Sequence, residues 1–104
     1  MPRDTFLDFI LDKLAPLGDV HAKKMFGGVG LYQRAIFFGI VYDGRLYFKT
    51  DAKTRAAYIA EGMQPFQPSP KTTLKNYYEL PAGIIDNRNR LVEWATAAIR
   101  VAKA

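Results

Sequence analysis

The sequence predicts an α+β domain, a two-layer unit in which a mostly antiparallel β-sheet packs with about three helices. Asp43-Gly44 stands between two apolar runs, residues 35–42 and 45–49, and this dipeptide suits a type I′ hairpin turn because both central positions need positive φ. The two ends of the chain repeat their apolar residues at helical rather than strand spacing. A length of 104 residues, 49% hydrophobic, supports one core, so residues 1–104 are read as a single domain.

The first helix is expected over 4–15. Phe6, Leu7, Ile10, Leu11 and Leu14 form its apolar face, Asp4 with Thr5 beside it occupies the N-cap, and Pro16 and Gly18 end it. Asp4, Asp8 and Asp12 recur on the other side, as a solvated face or, in a sharper reading, an acidic docking strip. A strand over 20–26 contains Lys23 and Lys24. Gly27, Gly28 and Gly30 then interrupt it. No Lys-Ser/Thr pair and no helix follows them, so they match neither phosphate-binding fingerprint and read as a turn or bulge between strands.

In the central hairpin, a two-residue turn sets Tyr42 opposite Arg45, Val41 opposite Leu46 and Ile40 opposite Tyr47. Strict alternation then places Phe37, Gly39, Val41, Leu46 and Phe48 on a core face. Phe38, Ile40, Tyr42, Arg45, Tyr47 and Lys49 share the other face, which mixes aromatic and basic groups. Such a face needs an explanation. Another part of the chain covers it, a second copy buries it, or it binds a ligand such as unpaired bases that stack on rings beside cations.

Thr50 or Asp51 caps a helix over 52–60, with Ala56, Ile59 and Ala60 expected inward and Gly62 at its end. A short edge strand over 63–67 is limited by Pro65 and Pro68. A loop follows over 68–73, then a strand over 74–80 that Pro81 ends. Asp86 or Asn87 caps the final helix over 88–102, whose core stripe is Leu91, Trp94, Ala95, Ala98, Ile99 and Ala102.

Reactive chemistry is scarce. With no cysteine there is no disulfide and no thiolate site, and the only histidine, His21, reads as structural. Ser69 is the only serine and lies in a proline-flanked loop. Glu61, Glu79 and Glu93 have no spacing that favours an acid–base pair. The expectation is no catalytic residue, no metal, no cofactor and no enzyme. No apolar run nears the roughly 20 residues that span a bilayer. Aspartates interrupt the N-terminal apolar pattern, so it is not a secretory signal and a cytoplasmic protein is expected. A net charge of +5 permits contact with nucleic acid or an acidic partner without requiring it.

Five blocks in order carry a family resemblance. They are Lys24-Met25-Phe26-Gly27-Gly28-Val29-Gly30-Leu31-Tyr32, then FFGIVYDGRLYFKTD at 37–51, Gly62-Met63-Gln64-Pro65-Phe66, Tyr77-Tyr78-Glu79-Leu80-Pro81, and 91–94. Together they resemble the N-terminal domain of the TfoX/Sxy family. The resemblance implies a bacterial, cytoplasmic α+β domain akin to regulators of natural competence and DNA uptake. Those act as co-regulators with the cyclic-AMP receptor protein and carry a further C-terminal domain. A chain ending at Ala104 is therefore expected to be the N-terminal domain standing alone.

Two functional expectations follow. In the first, a regulatory domain contacts a protein partner of the cyclic-AMP receptor type, DNA, or both. Lys23, Lys24, Arg34, Arg45 and Lys49 are its candidates for phosphate or acidic-partner contact. In the second, a protein-binding adaptor or homodimerising module without a nucleic-acid role presents Phe38, Ile40, Tyr42 and Tyr47.

Overall fold

Tight turns build the first half of the sheet. Met25 pairs with Gly28, Gln33 with Ile36 and Tyr42 with Arg45, so each of these connections spans two residues. Positive φ is supplied by Gly27 (+79°), Arg34 (+57°) and the Asp43-Gly44 pair (+50° and +70°), the last as a type I′ turn requires. The computed structural model describes residues 5–25 and 27–104. The elements are α1 (Thr5–Lys13), a 3-10 turn (Ala15–Leu17), β1 (Val20–Met25), β2 (Gly28–Gln33), β3 (Ile36–Tyr42), β4 (Arg45–Lys49), α2 (Ala52–Ala60), β5 (Pro65–Ser69), β6 (Thr72–Glu79), α3 (Ala82–Ile85) and α4 (Arg88–Lys103). The expected cap at Asp4 and strand residue Phe26 lie outside the described residues.

The sheet has six strands, all antiparallel, in the order β1-β2-β3-β4-β6-β5. The first four form a meander. Helix α2 then carries the chain outward, and the β5–β6 hairpin returns β6 to the free side of β4. The fold is α+β, as expected, with a single layer of helices. The expected loop over 68–73 is mostly strand, since Ser69 pairs with Thr72 around Pro70 and Lys71.

Helix starts follow local chemistry. The Asp51 carboxylate accepts from the backbone N–H of Thr54 at 2.8 Å and of Lys53 at 3.0 Å, and the Thr54 hydroxyl accepts from the Asp51 N–H. Those bonds, the Thr54 N–H first, hold the Asp51 carboxyl below its usual range. Asn87 caps α4 by accepting from the Arg90 N–H at 3.1 Å. The short α3 follows Pro81 and was not expected from the sequence.

Every helix contributes to one core. Ile10 and Leu14 of the N-terminal segment, Tyr58 of α2, Ile84 of α3 and Leu91, Ala95, Ala98 and Ile99 of α4 meet Leu31, Phe38, Val41, Leu46 and Phe48 of the sheet. Two expectations are corrected here. Ala56, Ile59 and Ala60, expected inward, are all exposed, Ile59 by 56%, and the buried residue of α2 is Tyr58. Its ring packs edge-on against Trp94, 4.7 Å away, which turns the Thr54–Tyr58 side inward and Ile59 outward.

The second correction concerns β3. Strict alternation put Phe38 on the outer face and Phe37 in the core, but the pairing of β2 with β3 slips between Leu31 and Tyr32. Leu31 faces Gly39 and Tyr32 faces Phe37, leaving Phe38 as an extra residue in a β-bulge. Phe38 is therefore fully buried on the helix side, 5.7 Å from Phe48, and Phe37 lies on the outer face.

A Cβ added at Gly28 would sit 2.4 Å from the Val41 carbonyl oxygen, so β2 approaches β3 there only because the residue is glycine. Gly83 in α3 has open space around it. Gly28→Ala is expected to cost about 1–3 kcal/mol, the usual cost of overpacking. Gly83→Ala should be neutral or stabilising by up to about 1 kcal/mol. Thermal denaturation of the two variants checks the pair, and equal melting temperatures would contradict the close strand approach.

Candidate functional site

The face of the sheet opposite the helices has its own apolar cluster. Ile40, Tyr47, Phe66 and Tyr77 are buried in it, with Phe37, Tyr42 and Leu74 packed alongside. Among the described residues no helix side chain enters this cluster. The face divides into two halves.

In the first half, the chain covers itself. Phe66 of β5 lies 4.7 Å from the Tyr47 ring and 5.3 Å from the Tyr42 ring. β5 reaches them because β6 bends. Pro65 pairs with Tyr78 and Phe66 with Leu74, so residues 75–77 of β6 have no partner in β5. The bend is tied down from the other side. The Thr50 hydroxyl donates to the Asn76 carbonyl at 2.9 Å, and Arg55 donates to the Thr50 hydroxyl at 3.1 Å and to the Asn76 side chain at 2.8 Å. Covering by the same chain, one of the three explanations considered for this face, thus accounts for Ile40, Tyr47 and much of Tyr42.

The second half is a row of rings crossing the sheet. His21 of β1 lies parallel to Tyr32 of β2 at 5.6 Å, Tyr32 is 5.2 Å from Phe37 of β3, and Phe37 is 5.4 Å from Tyr77 of β6. His21 is exposed, Tyr32 and Phe37 are half-buried, and Tyr77 is buried. The row needs Gly30. A Cβ there would lie 2.5 Å from the Met25 sulfur, 2.9 Å from the Phe37 ring and 3.3 Å from the Tyr32 ring. Lys23 Nζ sits 5.0 Å from the centre of the Tyr32 ring and Lys49 Nζ sits 5.3 Å from that of Tyr77, both within cation–π range.

The five basic candidates separate. Lys23 and Lys49 join the ring row. Lys24 follows Lys23 in the strand and pairs with Val29 of the helix-side core, so it belongs to the opposite face. Arg34, in the β2–β3 turn, pairs with Asp19 at 3.2 Å. Arg45 pairs with Glu79, also at 3.2 Å. Of the four candidates for a partner face, Phe38 belongs to the helix-side core, and Ile40, Tyr42 and Tyr47 lie in the self-covered half.

Sequence reasoning missed Tyr32, Phe37, Tyr77 and the ring role of His21. The period-2 spacing of His21 and Lys23 in β1 is the one signal that could have put them on a common face. Nothing in the sequence placed β6 close enough for Tyr77 to join them. Asp12 of the N-terminal aspartates is bound to Arg88 at 3.0 Å.

No three His, Asp or Glu residues among those described could hold a metal ion together. A mainly apolar cleft of about 210 Å³ between α2 and α4, whose lining includes Tyr58, Trp94 and Ala98 together with the charged Lys49 and Glu93, falls below the roughly 300–1,000 Å³ of typical small-molecule sites. No described helix is long and apolar enough to cross a membrane.

Residues 12–102 match the family model described as the TfoX N-terminal domain. Over 66 residues the chain is 36% identical to the DNA transformation protein TfoX1 of Aliivibrio fischeri (strain ATCC 700601 / ES114). The matched stretch is 62% of this chain and 32% of that protein, so the match spans about a third of the relative's length.

The buried phenols carry a pH signature. Burial first, then the neighbouring Tyr32, pushes the Tyr77 hydroxyl up to about 12, and burial raises Tyr47 and Tyr58 as well. An unfolded tyrosine ionises near 10, so between about pH 10 and 12 the unfolded chain sheds these protons first. Stability held below pH 10 is then lost as pH rises through that window. Absorbance at 295 nm should show the ionisation of Tyr47, Tyr58 and Tyr77 delayed above 10 and completed as the fold is lost. A single step near 10 with the fold intact would contradict the burial of Tyr77.

Proposed function

This chain belongs to the TfoX N-terminal domain family, and from that premise we propose that it is a regulatory contact domain serving DNA transformation. It works by binding and not by catalysis. Its contact surface is the uncovered half of the outer sheet face. The observation that carries this reading is the division of labour in the sheet. Every described helix packs on one side, while the ring row, with one ammonium group over Tyr32 and another over Tyr77, is left on the other.

Rings half-covered under lysines form an apolar and cationic surface that a ligand can cover in place of water. The positive charge suits nucleic acid or an acidic patch on a regulatory protein, such as the cyclic-AMP receptor type of transcription factor that the resemblance implies. Homodimerisation through Tyr42 and Tyr47 is the weaker reading, because Phe66 of the same chain already packs against both.

The test is a double charge reversal, Lys23→Glu with Lys49→Glu. Neither residue is in the helix-side core, so the melting temperature should move by no more than a few degrees. Output from a transformation-gene reporter should fall at least about tenfold at equal protein level, since each reversal opposes an anionic partner. Unchanged output would remove this face as the contact surface.

A further inference from the structure

We infer that the ring row is a stacking platform for single-stranded nucleic acid, with Tyr32 and Phe37 taking bases and Lys23 and Lys49 taking phosphates. This rests on the reading that the outer face is the contact surface, and it names the ligand of that surface.

Three features select this ligand. Ring contacts of 5.2–5.6 Å run from β1 through β2 and β3 to Tyr77 of β6, across β4, and offer unpaired bases a shared apolar surface. A sheet face carrying aromatics is one of the ways proteins hold unstacked bases, and the contact tolerates any base because each has a π-face. Second, the lysines are already on the rings. Lys23 covers the Tyr32 ring in the free protein and can swing outward to a phosphate when a base takes its place, while Lys49 lies over the buried Tyr77, the ring next to Phe37. The exchange gives up a weak cation–π contact for a charge-assisted one. Third, two of the carboxylates around this face are occupied. Asp19 is held by Arg34 and Glu79 by Arg45, so neither opposes a phosphate as a bare carboxylate.

A duplex fits less well. Its bases hide their faces in the stack and present only edges to the grooves, and this face offers half-buried rings where groove readers insert a helix or a ribbon. An acidic protein surface would satisfy the lysines but leave the rings without a stacking partner. That occupant is an outcome of the experiment below.

The experiment measures fluorescence anisotropy of a labelled dT12 strand and a labelled 12-bp duplex, titrated with the full chain at two salt concentrations. The expected result is tighter binding of dT12 than of the duplex, despite the higher charge density of the duplex. Tyr32→Leu, which keeps apolar bulk and removes the ring, should weaken dT12 binding about tenfold. Tyr32→Phe, which keeps the ring, should bind as the parent does and guards against a leucine variant that fails to fold. Lys23→Ala should lower the steepness of the log K against log salt plot by about 0.7. Lys24→Ala, on the opposite face, should leave it unchanged.

Equal affinity for both probes with no effect of Tyr32→Leu would overturn the proposal, since phosphate attraction alone would explain it. So would absence of binding to either probe. If the lysine reversal still abolishes reporter output in that case, the face contacts a protein: the regulatory reading survives and the nucleic-acid inference falls. If both fail, the face is not the contact surface.

Discussion

The fold turns on one extra residue in β3. In a regular ladder Phe37 and Gly39 would share a face, and Phe38 would point away from the helices. The bulge at Phe38 breaks that order, so that Phe38 and Val41 both enter the helix-side core while Phe37 and Ile40 lie outside. Burying a phenylalanine is worth about 1.5–3 kcal/mol, and here it also places a ring against Phe48. The neighbouring Gly39 makes room: a Cβ would be 3.0 Å from both the Phe48 ring and the Tyr47 carbonyl oxygen. The same bulge that completes the core sends Phe37 to the position between Tyr32 and Tyr77 where the outer ring row closes.

The second irregularity, the bend in β6, decides how the outer face is shared. It lets β5 fold Phe66 over Tyr42 and Tyr47, and it is pinned by the Thr50–Arg55–Asn76 bonds at the start of α2. One half of an apolar face is thus internal to the domain, and the other half is left open. The two lysines lie over the open half, while Arg34 and Arg45 are held in pairs with acids. Charge count alone could not make that distinction.

Local signals were legible in the sequence and non-local ones were not. Asp43-Gly44 specified its turn and register, Asp51 its cap, and the apolar stripe of α4 its buried side, because each depends on a few neighbouring residues. The family blocks were legible too, and the family match covers residues 12–102. The bulge was hidden because period-2 reasoning assumes a perfect ladder. The ring row was hidden because its members are neighbours only once the strand order is known. Ile59 was misplaced because α2 is too short, and too weakly amphipathic, for its pattern to outvote the packing of Tyr58 on Trp94.

The strand order also bears on how the chain is made. β1 to β4 form a meander joined by two-residue turns, so their pairing needs only short loop closures and can begin early. The roof over β3 and β4 is α4, the last of the helices, with Leu91, Ala95, Ala98 and Ile99 on its inner side. During synthesis from the N-terminus, the meander emerges with Phe38, Val41, Leu46 and Phe48 uncovered, and stays so until the 16 residues of α4 leave the ribosome. In that interval the newborn sheet has apolar groups on both faces. The lysines of β1 and the prolines of β5, at the two edges, then help keep it from pairing with another chain.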